Sequence, residues 1–185
     1  MARATWGTLR RRGPRARTVV TNCGGLAAER PSRSSQWYSA YTAVCASWCF
    51  PQVGTNLTDI VAHRKITIRE LGGCMSPIWS SYYGNCHSLL FVMDASNPTQ
   101  LSASCVLLLG LLSAEELAKA SVLILFNKID LPCYMTVEEI KSLIRLPDII
   151  ACAKQHITTA EISARDGTGL SAVLLWLQEQ HKCSS

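Results

Sequence analysis

The stretch from Val122 to Asp130 limits what this chain can fold into more than any other. Five apolar residues in a row, Val122-Leu123-Ile124-Leu125-Phe126, run directly into Asn127-Lys128-Ile129-Asp130. An unbroken apolar run of this length suits a strand buried on both faces, as in a parallel sheet covered by helices. Polar groups at the carboxyl end of such a strand lie where open α/β sheets bind ligands. Their chemistry suits guanine. A carboxylate at Asp130 can accept from the ring N1–H and the exocyclic amino group together. Asn127 can tie neighbouring loops and reach the base edge, and the Lys128 stem can lie over the purine with its ammonium in water. The plainer reading of the same residues is a buried strand followed by a polar turn.

The rest of the chain is consistent with one globular domain. It has 185 residues, 48% of them hydrophobic and 17% charged, enough for a real core and too apolar for a disordered chain. The longest apolar run, Cys105 to Leu112 with Gly110 allowed, is far shorter than a membrane span. The nine cysteines are scattered without framework spacing, and no secretory signal pattern opens the sequence. Reduced thiols and a cytoplasmic location are therefore expected. Cys45 and Cys49 have no second ligand pair beside them, so no metal site is expected from them.

The net charge of +5 is unevenly placed. Residues 1–49 hold eight arginines, no lysine and one acid, Glu29, a net of +7, while residues 50–185 hold ten basic and twelve acidic residues, a net of −2. The basic segment is rich in Gly, Pro and Ser and poor in helical periodicity, which suits a solvated, disordered tail or an alternative N-terminus. A transit peptide or a patch for nucleic acid or acidic lipid is the sharper alternative. Residue 2 is alanine, so N-myristoylation, and membrane contact through it, is not supported. The division falls between a segment 1–49 and a domain 50–185.

From Asn56 onward the pattern is regular. Asn56–His63 and Lys65–Leu71 read as two strands joined by a tight hairpin, and Gly72-Gly73 breaks the second. Pro77–Tyr83 suits a short aromatic helix, Ser88–Asp94 a second buried strand ending in an acid, and Thr99–Leu112 an apolar helix. Ser113-x-x-Glu116 and Thr136-x-x-Glu139 read as capping boxes; the second opens a helix with Ile140, Leu143 and Ile144 on one face. Ile157–Ser163 is a last strand, and Leu170, Val173, Leu174 and Leu177 form an amphipathic stripe. Strands alternating with helices predict an α/β fold: a mainly parallel sheet, helices on both faces and an antiparallel pair at one edge.

Four stretches in order resemble the Arf-like branch of the small GTPases. Pro51-Gln52-Val53-Gly54-Thr55-Asn56 is similar to that family's first switch, Pro-Thr-x-Gly-x-Asn. Arg69-Glu70-Leu71-Gly72-Gly73-Cys74 is similar to its second switch, Trp-Asp-x-Gly-Gly-Gln. Asn127-Lys128-Ile129-Asp130 is its base-recognition motif unchanged, and Ile162-Ser163-Ala164 matches the loop whose backbone N–H meets the guanine oxygen. The resemblance spans about residues 50–183. It implies a P-loop-NTPase-like fold, GTP or GDP as ligand with Mg²⁺, and binding residues Asn127, Lys128, Asp130, Ser163, Ala164 and Gly73, the last meeting the γ-phosphate. It further implies protein effectors through the hairpin and switch face. Trp79, Tyr82 and Tyr83 are the contacts an interaction module would use there, with core packing the expected role of at least one of them. A monomer without nucleic-acid partners is expected.

The departures fall at the phosphate end. The family's Gly-x4-Gly-Lys-Ser/Thr loop cradles phosphates with backbone N–H groups, a lysine and a metal-binding hydroxyl. No Gly-Lys pair occurs anywhere in this sequence. Gln52 stands where the first switch places its Mg²⁺-binding Thr, Glu70 where the second places its Asp, and Cys74 where it places the Gln that orients water. Neither a catalytic residue nor a metal ligand is assigned on this pattern. Weak guanine-nucleotide binding with little or no hydrolysis is the expectation. A nucleotide-independent interaction module and a non-functional alternative gene product are the other two readings. The family's first strand lies between those matching Lys65–Leu71 and Ser88–Asp94. Thr18–Thr21 (with Gly24-Gly25 as the turn after it) and Tyr41–Phe50 are the candidates to replace it.

Overall fold

The computed structural model describes residues 17–23, 55–62, 64–71, 73–84, 86–132 and 135–182. Six strands form one sheet: β1 (Arg17–Cys23), β2 (Thr55–Ala62), β3 (Arg64–Leu71), β4 (Cys86–Asp94), β5 (Ser121–Asn127) and β6 (Ile157–Ile162), in the order β2-β3-β1-β4-β5-β6. β2 runs antiparallel to β3 at one edge; every other pairing is parallel. The hairpin and the edge position of the antiparallel pair are as the sequence predicts.

The mid-sheet slot is filled from the N-terminal segment. β1 pairs with β3 on one side (Val20 opposite Glu70) and with β4 on the other (Val20 opposite Leu90). Of the two candidates, the stretch around Thr18–Thr21 takes the place; Gly24-Gly25 and Tyr41–Phe50 lie outside the described residues.

Alternation along the central strands sorts their side chains onto two faces. Leu89, Phe91 and Met93 of β4 and Val122, Ile124 and Phe126 of β5 pack on one face. They meet α1 (Leu101–Ser113), α2 (Val137–Leu143), α3 (Leu146–Cys152) and the 3-10 helix Gly73–Tyr82. Leu90, Val92, Leu123 and Leu125 point the other way, onto α4 (Leu170–Lys182) through Leu170, Val173, Trp176 and Leu177. Val122 to Phe126 is essentially inaccessible throughout, which is why the run carries no polar residue.

Three local expectations are corrected. Ser113 does not cap a helix: its Oγ donates back to the Leu109 carbonyl at 2.8 Å, and Ala114 precedes a single 3-10 turn, Glu115–Leu117. Leu143 does not share the buried face of Ile140 and Ile144. α2 ends at Leu143, Arg145 turns the chain with φ 52°, and Leu143 is 62% exposed. The aromatic segment is a 3-10 helix that begins at Gly73 rather than a helix from Pro77; in it Trp79 is buried in the core, as is Tyr83 just after it, in line with the expectation that at least one of these aromatics packs there. Thr136 does form its capping box: Glu139 N–H donates to its Oγ1 at 3.2 Å, and its own N–H donates to the Glu139 carboxylate at 2.7 Å. Those bonds hold the Glu139 carboxyl below its ordinary range, the backbone bond to Thr136 contributing most.

Candidate guanine site at the carboxyl edge of the sheet

All five parallel strands end on one edge, and the candidate site is built there, from β5 and the loop after β6. The last residue of β5, Asn127, is fully buried and lies opposite Asp94 on one side and Ile162 on the other. Its backbone carbonyl accepts from Ala95 N–H at 2.8 Å, and its side-chain Oδ1 accepts from Ala164 N–H at 3.0 Å. One residue, through its backbone carbonyl and its side chain, thus ties the β4, β5 and β6 ends together. Its side-chain NH₂ is buried without a hydrogen-bond partner among the described residues. An unmet donor at the carboxyl end of a parallel strand fits a ligand acceptor.

Asp130 is held from the other side. Ser163 Oγ donates to its Oδ1 at 2.7 Å, while the same hydroxyl accepts from Asp166 N–H at 3.2 Å. Ser163 is itself fixed by backbone bonds: its N–H to Thr168 O at 3.0 Å, and its O from Gly167 N–H at 2.9 Å. The loop 163–169 closes on two positive-φ glycines, and Gly169 needs to be one. A Cβ there would stand 2.4 Å from the Glu161 carbonyl. Asp130 remains partly exposed.

Lys128 departs from expectation. Its backbone has φ 67°, an uncommon conformation for a non-glycine residue. Its ammonium is not in bulk water: Nζ reaches the Asp94 Oδ2 at 2.5 Å, with both side chains largely buried. Asp94 is oriented by Ser96, whose N–H and Oγ both donate to Oδ1 at 2.9 and 2.6 Å. From the sequence alone Asp94 is only the acid that ends β4, without a role. The missing signal was register: Asp94 stands beside Asn127, so its carboxylate faces the next residue of the motif.

The structure brings Asn127, Lys128, Asp130, Ser163 and Ala164 into one cluster. Gly73 is not part of it. It follows β3, three strand positions from β5, or about 14 Å along the sheet. The Ala164 N–H, assigned to a guanine oxygen by resemblance, donates to Asn127 here. Gln52 lies outside the described residues. Among the described residues no group of three His, Cys, Asp or Glu side chains is placed to hold a metal ion. No helix among them is long and apolar enough to cross a membrane.

A parallel sheet with an Asn-Lys-x-Asp strand end and a Ser-Ala loop packed against it defines a small-GTPase-like domain. A sequence model of the ADP-ribosylation factor family matches residues 43–181, and the chain belongs to that family. It is 84% identical over 134 residues to human ADP-ribosylation factor-like protein 16, covering 72% of this chain and 68% of that one. It is 31% identical over 136 residues to mouse ADP-ribosylation factor-like protein 5A (71% and 74% covered) and 32% identical over 130 residues to ADP-ribosylation factor-like protein 1 of Drosophila melanogaster (69% and 71%). The structure of the Arl6 BBS3 small GTPase from Trypanosoma brucei, with bound nucleotide analogue GppNp, has a similar fold. Its TM-score is 0.70 at 21% identity, over 91% of this chain and 99% of that one.

Proposed function

We propose that this chain is a guanine-nucleotide-binding member of its family that recognises the base and holds the phosphates weakly, with little or no hydrolysis. The observation that carries the proposal is the base end: Asn127, Asp130, Ser163 and Ala164 are locked together by direct hydrogen bonds. That arrangement pre-positions a carboxylate for the guanine N1–H and amino group. The phosphate end does not fit the family's ligand. Between β1 and β2, where the phosphate loop belongs, residues 24–54 contain no lysine at all. Charge-assisted phosphate contacts are among the strongest available. Base contacts alone support a Kd no tighter than about 1 μM, roughly −8 kcal/mol. Cys74 at the position of the water-orienting Gln supplies no comparable hydrogen bond. Mg²⁺, where it binds, arrives with the nucleotide rather than through a hydroxyl of the first switch.

Calorimetric titration of the purified chain with GDP and Mg²⁺·GTP tests this. Saturable micromolar binding is expected. Asp130→Ala should weaken it by on the order of 100-fold, since two hydrogen bonds to a carboxylate are lost. Nanomolar GTP binding overturns the weak-binding reading.

A second reading is favoured by Arg69, whose guanidinium lies 5.1 Å from the centroid of the half-buried Tyr82 ring. This cation–π pair stands on the hairpin and switch face, where an effector-binding module that needs no nucleotide would make its contacts. Absence of any nucleotide binding by a folded chain supports it.

A further inference from the structure

A guanine nucleotide offers two things to hold, a neutral base and a charged phosphate chain. By the resemblance to small GTPases, the phosphates run from the base cluster at β5 past the ends of β4 and β1 toward Gly73, which follows β3. Any affinity they add comes from cations and N–H groups met on that path. Lys128 is the cation at its start, and its ammonium is already bound to Asp94 Oδ2 at 2.5 Å. The other oxygen of Asp94 accepts from both the N–H and the hydroxyl of Ser96. That carboxylate cannot turn away and release the lysine without breaking the Ser96 bonds as well. β1 ends in Asn22 and Cys23, neither of them charged. β3 carries Arg69 and Glu70 before its last residue. The Arg69 guanidinium is engaged by the Tyr82 ring, and Glu70 is a buried acid. Among the described residues, a phosphate chain laid along this edge meets carboxylates rather than an uncommitted cation.

We infer that the ligand class of this site is the guanine nucleoside, and that phosphates attached to it add no affinity. The inference rests on the guanine site proposed above and narrows what that site takes. The sequence of the segment after β1 agrees with it. Arg30 stands at the phosphate-loop lysine's offset from Gly24, but Glu29 occupies the place of the loop's second glycine and Pro31 that of its hydroxyl residue. A carboxylate next to the arginine offsets its charge, and proline has no N–H to offer a phosphate. The base end differs in kind. Asn127, Asp130, Ser163 and Ala164 are held by hydrogen bonds among themselves, and a neutral base needs no cation to be recognised there. The Asp94–Lys128 pair thus has a consequence for selectivity. It spends the motif's one positive charge inside the protein, so the site reads the base and not the charge of what the base carries.

Calorimetric titration of the full chain with guanosine, GMP and GDP in turn, in the presence of Mg²⁺, tests the inference. Neither GMP nor GDP should bind more than about threefold tighter than guanosine, whereas a single charge-assisted phosphate contact would separate them by about tenfold or more. The Kd for GDP should change less than about twofold between about 50 mM and about 500 mM NaCl, because no phosphate–cation pair is there to be screened. Inosine, which lacks the exocyclic amino group, should bind about tenfold more weakly than guanosine through loss of one hydrogen bond to the Asp130 carboxylate. Arg30→Ala should leave guanosine and GDP at their wild-type affinities. GDP binding more than about threefold tighter than guanosine, or a loss in Arg30→Ala confined to GDP, overturns the inference and leaves the guanine site standing. Failure of the folded chain to bind any of these ligands, or equal binding of inosine and guanosine, overturns the guanine site and the inference with it.

Discussion

Lys128 shows how much one residue's surroundings decide. Its ammonium is neutralised by Asp94 rather than hydrated, and Asp94 is held in turn by Ser96. Removing one partner of a buried pair leaves the other charge uncompensated. Asp94→Ala should therefore destabilise the fold by about 3 kcal/mol, seen as a lower urea midpoint with unchanged slope. A loss under 1 kcal/mol would mean the pair is solvent-screened. Ser163 makes a smaller contribution. Its hydroxyl steadies Asp130 through one hydrogen bond, worth about 1 kcal/mol. Ser163→Ala should weaken GDP binding by about fivefold and leave the enthalpy sign unchanged. An affinity equal to wild type would show that the carboxylate orients itself. The identities of Asn127, Lys128 and Asp130 were legible in the sequence. The partners of Lys128 were not, because they follow from the register of β4 against β5.

Among the elements, the two capping-box patterns had opposite outcomes. Thr136 precedes a chain free to start a helix, and its box closes. Ser113 is the last residue of a helix already formed, so its hydroxyl bonds backward to Leu109 instead. A four-residue pattern does not register what precedes it. Leu143 was misplaced for a related reason. The 3.6-residue period projects it inward only if α2 continues, but Arg145 turns the chain and Pro147 sits in the first turn of α3. The Thr136 box makes a pH prediction. Because Glu139 has a lowered folded-state pKa, its contribution is fully present above the ordinary glutamate value and is lost as pH falls through the lowered one. Between pH 6 and pH 3, wild type should lose more stability than Glu139→Gln. Parallel urea-midpoint curves for the two proteins would show the box contributes nothing in solution.

In the molecule as a whole, the sheet is completed by a strand from the basic segment. β1 sits between β3 and β4, and its removal would leave a gap of one strand with two unpaired edges facing each other. Deleting residues 1–49 should abolish cooperative unfolding, and Val20→Pro should do nearly the same by removing a ladder donor in mid-sheet. A deletion variant that melts as sharply as wild type would show that β1 is dispensable. Taken alone, the sequence determined the fold class, the edge hairpin, the strand ending in Asn127 and the absence of a Gly-Lys phosphate loop. Those properties live in local composition and period, where burial on two faces or one leaves a direct imprint. The tertiary structure alone decided which stretch fills the central slot, that Asp94 neutralises Lys128, that Ala164 is tied to Asn127, and that Trp79 and Tyr83 are core. Each depends on which strands become neighbours and in what register. That is a contest between distant segments for the same hydrogen bonds and the same apolar surface, and no local window of the chain contains its outcome.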